Sequence, residues 1–353
     1  MTIRIFNPDH DLALAANQKR FTAPHAGRQL RSDLGFLPAL WAEDGDVIVV
    51  DDVDASEADY RKLKYVEKRK VEFVTMIQIP DVLRTQPDAV FDVWGWNKSL
   101  CFQLMQCGVP ASYLPTDEQL DEIRVLSGRQ MTTDLLRQIR LGVENATCGE
   151  STYCTTEEQV QRFLQSPCVL KAPWSSSGRG VRYIVENEEE RHLQNTINWM
   201  RRIIATQGGV MAEPLYNKVK DFAMEFVADG EGGVEYCGLS LFSTVNGAYT
   251  GNLLLSEEEK REMLAEYVDV ALLDEIIERI KANVRTGSYR GAFGVDMMIV
   301  ANGDGFIVHP CVEVNLRRTM GHVALALSVM PQLAERKMCI DYISKTYKLL
   351  FLC

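Results

Sequence analysis

Two stretches late in the chain bring together side chains suited to holding a divalent cation. Asp296 lies in the apolar run "AFGVDMMIV" (292–300), and Glu313 and Asn315 lie in "FIVHPCVEVN" (306–315). The runs read as a hairpin, because Asn302-Gly303 and Asp304-Gly305 between them are strong turn dipeptides. Side chains alternate along a strand, so Glu313 and Asn315 share a face, which Asp296 joins if the register permits. Two carboxylates and an amide suit magnesium, a hard cation that keeps part of its shell for water and phosphate oxygens. Arg317 and Arg318 follow directly, with charge that could stabilise a transferring phosphoryl group. The competing reading is a half-exposed sheet face with ordinary polar residues.

A second stretch, "VLKAPWSSSGRGV" (169–181), ends an apolar run in Lys171 and follows it with small and polar residues. The common nucleotide loop places its lysine after the glycines, at a helix start; here the lysine precedes the loop and sits on a strand. A strand-borne lysine is a fixed point charge for a phosphate, and the loop offers backbone N–H groups and hydroxyls to other phosphates. A Ser/Gly turn between two strands is the alternative. In "VMAEPLYNKVKDFAMEFVADG" (210–230), Pro214 interrupts the pattern, so 213–216 reads as a linker between strands. Such a crossover can meet an adenine edge, and Asp221 can accept ribose hydroxyls.

The elements that must hold these residues follow from pattern and composition. With 353 residues the chain exceeds what one core usually covers, so two or three domains are expected. The first 115 or so residues alternate short apolar runs (2–6, 47–51, 71–77, 90–94) with helical patterns such as 56–69 and 97–107. That alternation predicts a parallel sheet flanked by helices, with functional residues at the strands' carboxyl ends. Helical stretches are expected at 116–141 (broken near Ser127-Gly128), 155–165, 188–205, 256–266 and 269–285, with a last helix from Thr319. Strands are expected at 210–216, 222–228 and 234–243. The net charge of −11, with no basic run, argues against nucleic acid or an anionic membrane as partner. No apolar stretch reaches the ~18 residues that span a bilayer. The N-terminal "MTIRIFNPDH" reads as a strand without the apolar core of a signal peptide. Nine cysteines without a CxxC pair fit buried thiols in a reducing cytosol, so a cytoplasmic location is expected.

Taken in order, these motifs resemble the ATP-grasp superfamily, notably biotin carboxylase and the D-alanine–D-alanine ligases. "LKAPWSSSGRGVR" is similar to the biotin carboxylase Lys-Ala, glycine run and Gly-Arg-Gly, and "MAEPLY" to the adenine-side linker. "RGAFGVDMMI" is similar to a metal-carboxylate strand and "EVNLRRTMGH" to the Glu-x-Asn-x-Arg signature. The resemblance covers roughly 116–330. It implies an α/β N-terminal domain with a parallel sheet (1–115), then an α+β ATP-grasp fold of two subdomains clasping ATP. These would be a lid subdomain (116–209) with a mobile flap at 174–180, and a C-terminal subdomain (210–353) with the metal site. It also implies that Lys171 and Arg129 bind phosphates, with Ser175, Ser176, Ser177 and Gly178 in the flap. Glu213 and Leu215 would lie against adenine, and Asp221 would take the ribose. Asp296, Glu313 and Asn315 would hold one or two magnesium ions, and Arg317, with Lys171, would be catalytic. The implied activity is an ADP-forming ligase that joins a small carboxylate to an amine or other nucleophile through an acylphosphate. The alternatives are a nucleotide-binding protein of this fold and a kinase-like phosphotransferase; a homodimer is the candidate assembly. Serines and Trp174 in the flap, Leu-Arg-Arg after Asn315, the long hairpin and the lack of a biotin-carrier Met-Lys-Met depart from a plain biotin carboxylase.

"RIFNPDHDLALAANQKRFTAPHAGRQL" is the second unusual stretch. Asp9, His10 and Asp11 cluster after the first strand, and His25 and Arg28 stand at a helix start. In relatives this domain faces the ATP site, so Asp9, His10, His25 and Arg28 are candidates for substrate contact, and Arg318, beside Arg317, is another. The alternative is local: Asn7 and Asp9 cap a helix and His10 packs beside it.

Overall fold

The computed structural model describes residues 1–175, 180–245 and 247–353. Strands β1 (Thr2–Ile5), β2 (Val47–Val50), β3 (Glu72–Thr75) and β4 (Val90–Val93) form an all-parallel sheet in the order β3-β2-β1-β4. "VIVV" in β2 is buried throughout, as a strand covered on both faces must be. Helices α1 (His10–Ala16), α2 (His25–Asp33), α3 (Val53–Lys62), α4 (Ile79–Thr85) and α5 (Lys98–Gln106) occupy the connections. The helical pattern expected over 56–69 stops at Lys62. Side chains from elsewhere capture the chain beyond it: the Arg69 N–H donates to the Tyr60 hydroxyl and the Lys70 N–H to Asp44.

Next come α6 (Asp117–Leu126) and α7 (Gln130–Arg140), parted near Gly128 as the pattern predicts. A second sheet, ordered β5-β8-β6-β7, contains β5 (Thr152–Cys154), β6 (Cys168–Lys171), β7 (Val181–Ile184) and β8 (Val210–Pro214). Its helices are α8 (Glu157–Gln161) and α9 (Glu190–Gln207), and its core is Cys154, Val160, Leu170, Trp199 and Met200. Strand β8 begins past residue 209, yet its hydrogen bonds go to β5 and β6.

The third sheet is antiparallel, seven-stranded and ordered β13-β12-β9-β10-β11-β14-β15. Its strands are β9 (Lys218–Asp229), β10 (Val234–Val245), β11 (Ala248–Leu254), β12 (Arg290–Asn302), β13 (Gly305–Asn315), β14 (Arg336–Ile343) and β15 (Thr346–Leu352). The β11 strand and the β14–β15 hairpin were not expected from the sequence. One face packs Phe222, Met224, Phe293, Val295 and Met297 against α7 and against α10 (Glu257–Ala265) and α11 (Val270–Asn283). The other carries the polar residues of interest and is partly covered by α12 (Met320–Ser328). Thr319 caps α12, its hydroxyl accepting the His322 N–H at 3.3 Å.

The parallel sheet is docked on the large one through a shared core. Phe6, Leu37, Val50 and Trp94 from the first layer pack with Leu254, Val323, Leu327 and Leu349 from the third. Each such side chain contributes about 1.5–3 kcal/mol on leaving water, so the carboxyl ends of the first strands are held beside α12 and β13. All nine cysteines are free. Among the described residues, no helix is long and apolar enough to cross a membrane.

Candidate active site

The β12–β13 hairpin places the first group. Its turn pairs Asn302 with Gly305, and regular pairing runs back to Met298 opposite His309. The register then slips, and Asp296 lies opposite Glu313 and Gly294 opposite Asn315. Residues 310–312 form the bulge, and Pro310, with no N–H to offer a ladder, sits in it. Asp296, Glu313 and Asn315 therefore share one face, as expected. Asn315 Nδ2 donates to Asp296 Oδ2 at 3.0 Å, and Arg317 Nη2 donates to Asn315 Oδ1 at 3.0 Å. Burial, then the charges of Glu313 and Glu225, push the Asp296 carboxyl up to about 8. A carboxylate disfavoured in this way gains from a bound cation. Among the described residues, no three or more His, Cys, Asp or Glu side chains cluster as a complete metal cage. The donor set is thus two carboxylates and an amide, which fits a cation that keeps water or phosphate oxygens.

Strand β6 delivers Lys171 to the same place. Its register, opposite Val181 and Met211, puts the lysine at the strand's end with 8% of its surface exposed. Nζ pairs with Glu213 Oε2 at 2.5 Å and donates to the Val312 carbonyl in the bulge at 3.5 Å. The other oxygen of Glu213 accepts from Ser151 Oγ at 3.1 Å. Arg129, just before α7, pairs with Glu313 Oε1 at 2.7 Å. It also donates to the Ala172 carbonyl at 2.5 Å and to Ser175 Oγ at 2.7 Å, and its own N–H bonds the Pro173 carbonyl. Lys171 and Arg129 thus converge on β13, each holding a carboxylate of the site. Ser176, Ser177 and Gly178 lie outside the described residues. Leu215 follows β8, its N–H bonded to Pro167, and Asp221 accepts from Lys218 and Thr244, both at 2.6 Å.

No protein-family model matches the sequence, and no curated protein matches it. Solved structures do. A biotin carboxylase–β,γ-ATP complex from Campylobacter jejuni aligns over 99% of this chain and 73% of its own, at 14% identity and a TM-score of 0.51. The biotin carboxylase domain of a Hydrogenobacter thermophilus 2-oxoglutarate carboxylase aligns over 93% and 69%, at 13% identity and 0.49. An N5-carboxyaminoimidazole synthetase from Staphylococcus aureus aligns over 99% and 80%, at 13% identity and 0.48.

The chain has the ATP-grasp fold.

Within that fold the N-terminal loop reaches the site through a residue absent from the candidate set. Asp11, on the first turn of α1, grips Arg317: Nε lies 2.9 and 3.1 Å from its two oxygens and Nη2 2.9 Å from one. Burial opposes ionisation of Asp11, but the guanidinium overrides it and holds the carboxyl below its usual range; Asp11 in turn raises Arg317 against burial. The signal was present as the second acid of "PDHD". Of the predicted contacts, His10 is buried beside Gly95, with Nδ1 3.2 Å from the Asn97 amide. Burial pushes its ring down to about 4. Asp9 is raised by burial. His25 and Arg28 are exposed, and Arg28 donates to the Ala23 carbonyl. Arg318 turns away from Arg317: it pairs with Asp92 at 3.0 Å and lies over the Trp41 ring at 4.7 Å. Asp92 also receives Arg4 and the Trp41 indole N–H, so Arg318 fastens β13 to the parallel sheet.

Trp174 also has a role that the spacing of the loop did not suggest. It is buried, donates its indole N–H to the Arg124 carbonyl at 2.9 Å and lies 3.7 Å from the Arg124 guanidinium. Arg124 Nε donates onward to the Leu14 carbonyl of α1. The start of the 174–180 loop is thereby anchored to α6 and, through it, to the N-terminal layer. Glu225 was also missed. It is 1% exposed on the Asp296 face, accepts from Thr319 Oγ at 2.9 Å and lies 3.0 Å from His322 Nδ1. A lone acid in the apolar "FAMEFV" was its only signal.

Proposed function

We propose that the chain is an ATP- and magnesium-dependent ligase that joins a carboxylate to an amine or another nucleophile. The observation that carries this is the convergence near β13 of paired opposite charges from strands and helices of all three layers: Lys171 with Glu213, Arg129 with Glu313 and Arg317 with Asp11. Charges of both signs, mostly out of water, suit a polyanion bound with its cation better than they suit stability, since such pairs add little to folding. The similarity to a biotin carboxylase–β,γ-ATP complex agrees with this. When bound, ATP supplies the phosphoryl group that makes a carboxylate an acylphosphate, and magnesium neutralises the phosphates. Asp296, Glu313 and Asn315 are the residues that would hold the metal.

The chain's own groups do the rest. Lys171 and Arg129 bring positive charge to the phosphates on leaving Glu213 and Glu313, and Glu213, Leu215 and Asp221 take the nucleoside. Arg317, oriented by Asp11, presents a fixed guanidinium where negative charge develops on the reacting carboxyl, an electrostatic contribution that needs no reorganisation. Ser175, bonded to Arg129, stands on the side from which water is excluded. The test is a free-phosphate screen over pools of carboxylic acids and amines with ATP and magnesium, with wild type beside Glu313→Gln. The expected result is phosphate release only when both substrate classes are present, lost in Glu313→Gln. Equal release by the two proteins would remove the metal site from the mechanism. A phosphotransferase would leave no free phosphate, and a binding protein would give neither product.

A further inference from the structure

His309 is a buried imidazole that neither the fold nor the proposed chemistry uses. It is 1% exposed, and both ring nitrogens lack a hydrogen-bond partner among the described residues. An orphaned buried donor and acceptor cost stability, so a side chain of this kind calls for a compensating role. Its position suggests one. Register places Asp221 of β9 beside Met298 of β12, and Met298 beside His309 of β13. Cross-strand partners point to the same side, so these three form a row on the face that carries Asp296, one pleat away from it. The row runs from the ribose candidate Asp221 toward the linker after β8. There the Tyr216 ring meets the imidazole edge-on, with centroids 5.4 Å apart. On the far side, Gly149 leaves room for the ring: a Cβ there would fall 2.8 Å from Nε2. Residues 146–149 are tied to β13 by the Cys148 N–H to the Val308 carbonyl and the Val308 N–H to the Ala146 carbonyl.

We infer that His309 is a recognition residue for the base of the bound nucleotide, a free ring nitrogen taking its partner from the heterocycle's polar edge while Nε2 lies toward Gly149. This rests on the nucleotide-site reading above. A neutral ring suits such pairing, since its tautomers let the base-facing nitrogen either donate or accept. Burial, then the charges of Lys171 and Arg140, hold His309 well below its ordinary titration range, at about 3.

The experiment uses the full chain and two probes, ADP with magnesium, and tripolyphosphate with magnesium, which lacks a base. Calorimetry on wild type, His309→Phe and His309→Gln separates the contributions. His309→Phe should bind ADP about tenfold more weakly, and His309→Gln, which keeps a donor and an acceptor, within about threefold of wild type. All three should bind tripolyphosphate equally. Ring-nitrogen NMR of the wild type gives an independent reading that needs no folded Phe variant. The chain has five histidines, and the signal missing from His309→Gln identifies the one sought. It should move with ADP and stay still with tripolyphosphate. An unmoved signal overturns the inference, as does a Phe variant that keeps ADP affinity or loses both probes equally. A wild type that binds neither probe overturns the nucleotide reading itself, and this assignment with it.

Discussion

Asp296→Asn isolates the electrostatics of the face proposed to bind metal. Burial and the neighbouring Glu313 and Glu225 raise the Asp296 carboxyl from 3.8 to about 8. Between those values the folded chain keeps a proton that the unfolded chain has released. Stability from this group is therefore fully present below 3.8 and falls as pH rises toward about 8. Full retention of one proton corresponds to about 1.4 kcal/mol per pH unit, the upper bound for the slope. Asparagine cannot ionise, yet its carbonyl can still accept the bond that Asn315 donates. The variant should thus gain on the wild type steadily from pH 5 to pH 8, by roughly 1 kcal/mol per unit. Urea-denaturation midpoints across that range, in EDTA at constant ionic strength, measure the difference. Magnesium competes with the proton, so adding it should flatten the wild-type slope and leave Asp296→Asn unmoved. Parallel pH profiles in EDTA would refute the raised carboxyl, and a wild-type slope indifferent to magnesium would refute the metal assignment.

Asp11→Asn leaves the largely buried Arg317 without the carboxylate bonded to it, with only unbonded negative charge such as Glu313 nearby, and should cost about 3 kcal/mol in urea denaturation, near the low end for breaking a buried pair; Asp11→Glu should recover part of it. An unchanged midpoint for Asp11→Asn would show that the clamp is not holding Arg317. Trp174→Phe removes the indole N–H bond to Arg124 and weakens the cation–π contact, for an expected loss of about 1–2 kcal/mol. Combining it with Arg124→Met should cost less than the sum of the two single changes, because the second then has little contact left to remove; strict additivity would mean the two side chains are not coupled.

Local features of this molecule could be read before its structure, and distant pairings could not. The alternation of 1–115 is local, and so is the turn at 303–304. Lys171, Arg129, Asp296, Glu313, Asn315 and Arg317 could be named as candidates because each sits in a short motif. Their partners were less legible. Asp11 and Arg317 are 306 positions apart, and no periodicity near either one announces the other. Arg318 reads like Arg317 in the sequence, but beyond the end of β13 its N–H bonds the Trp94 carbonyl and its side chain turns to Asp92. The β14–β15 hairpin escaped notice because Glu335, Ser344 and Lys345 take left-handed backbone at its turns without glycine or asparagine to mark them.

The Asp296–Glu313 face itself shows how far a local motif reaches. Continued without interruption, the pairing of Asn302 with Gly305 and Met298 with His309 would set Asp296 opposite Cys311, a poor companion for a hard cation. The bulge moves the register by two residues, which keeps every side chain on its own face and puts Glu313 opposite Asp296 instead. Pro310 is the one sequence sign of this slip, a residue that cannot donate to the ladder in the middle of a strand. The same bulge frees the Val312 carbonyl to accept from Lys171. A single irregularity in β13 therefore both assembles the carboxylate pair and provides the contact by which the lysine of the second sheet reaches it.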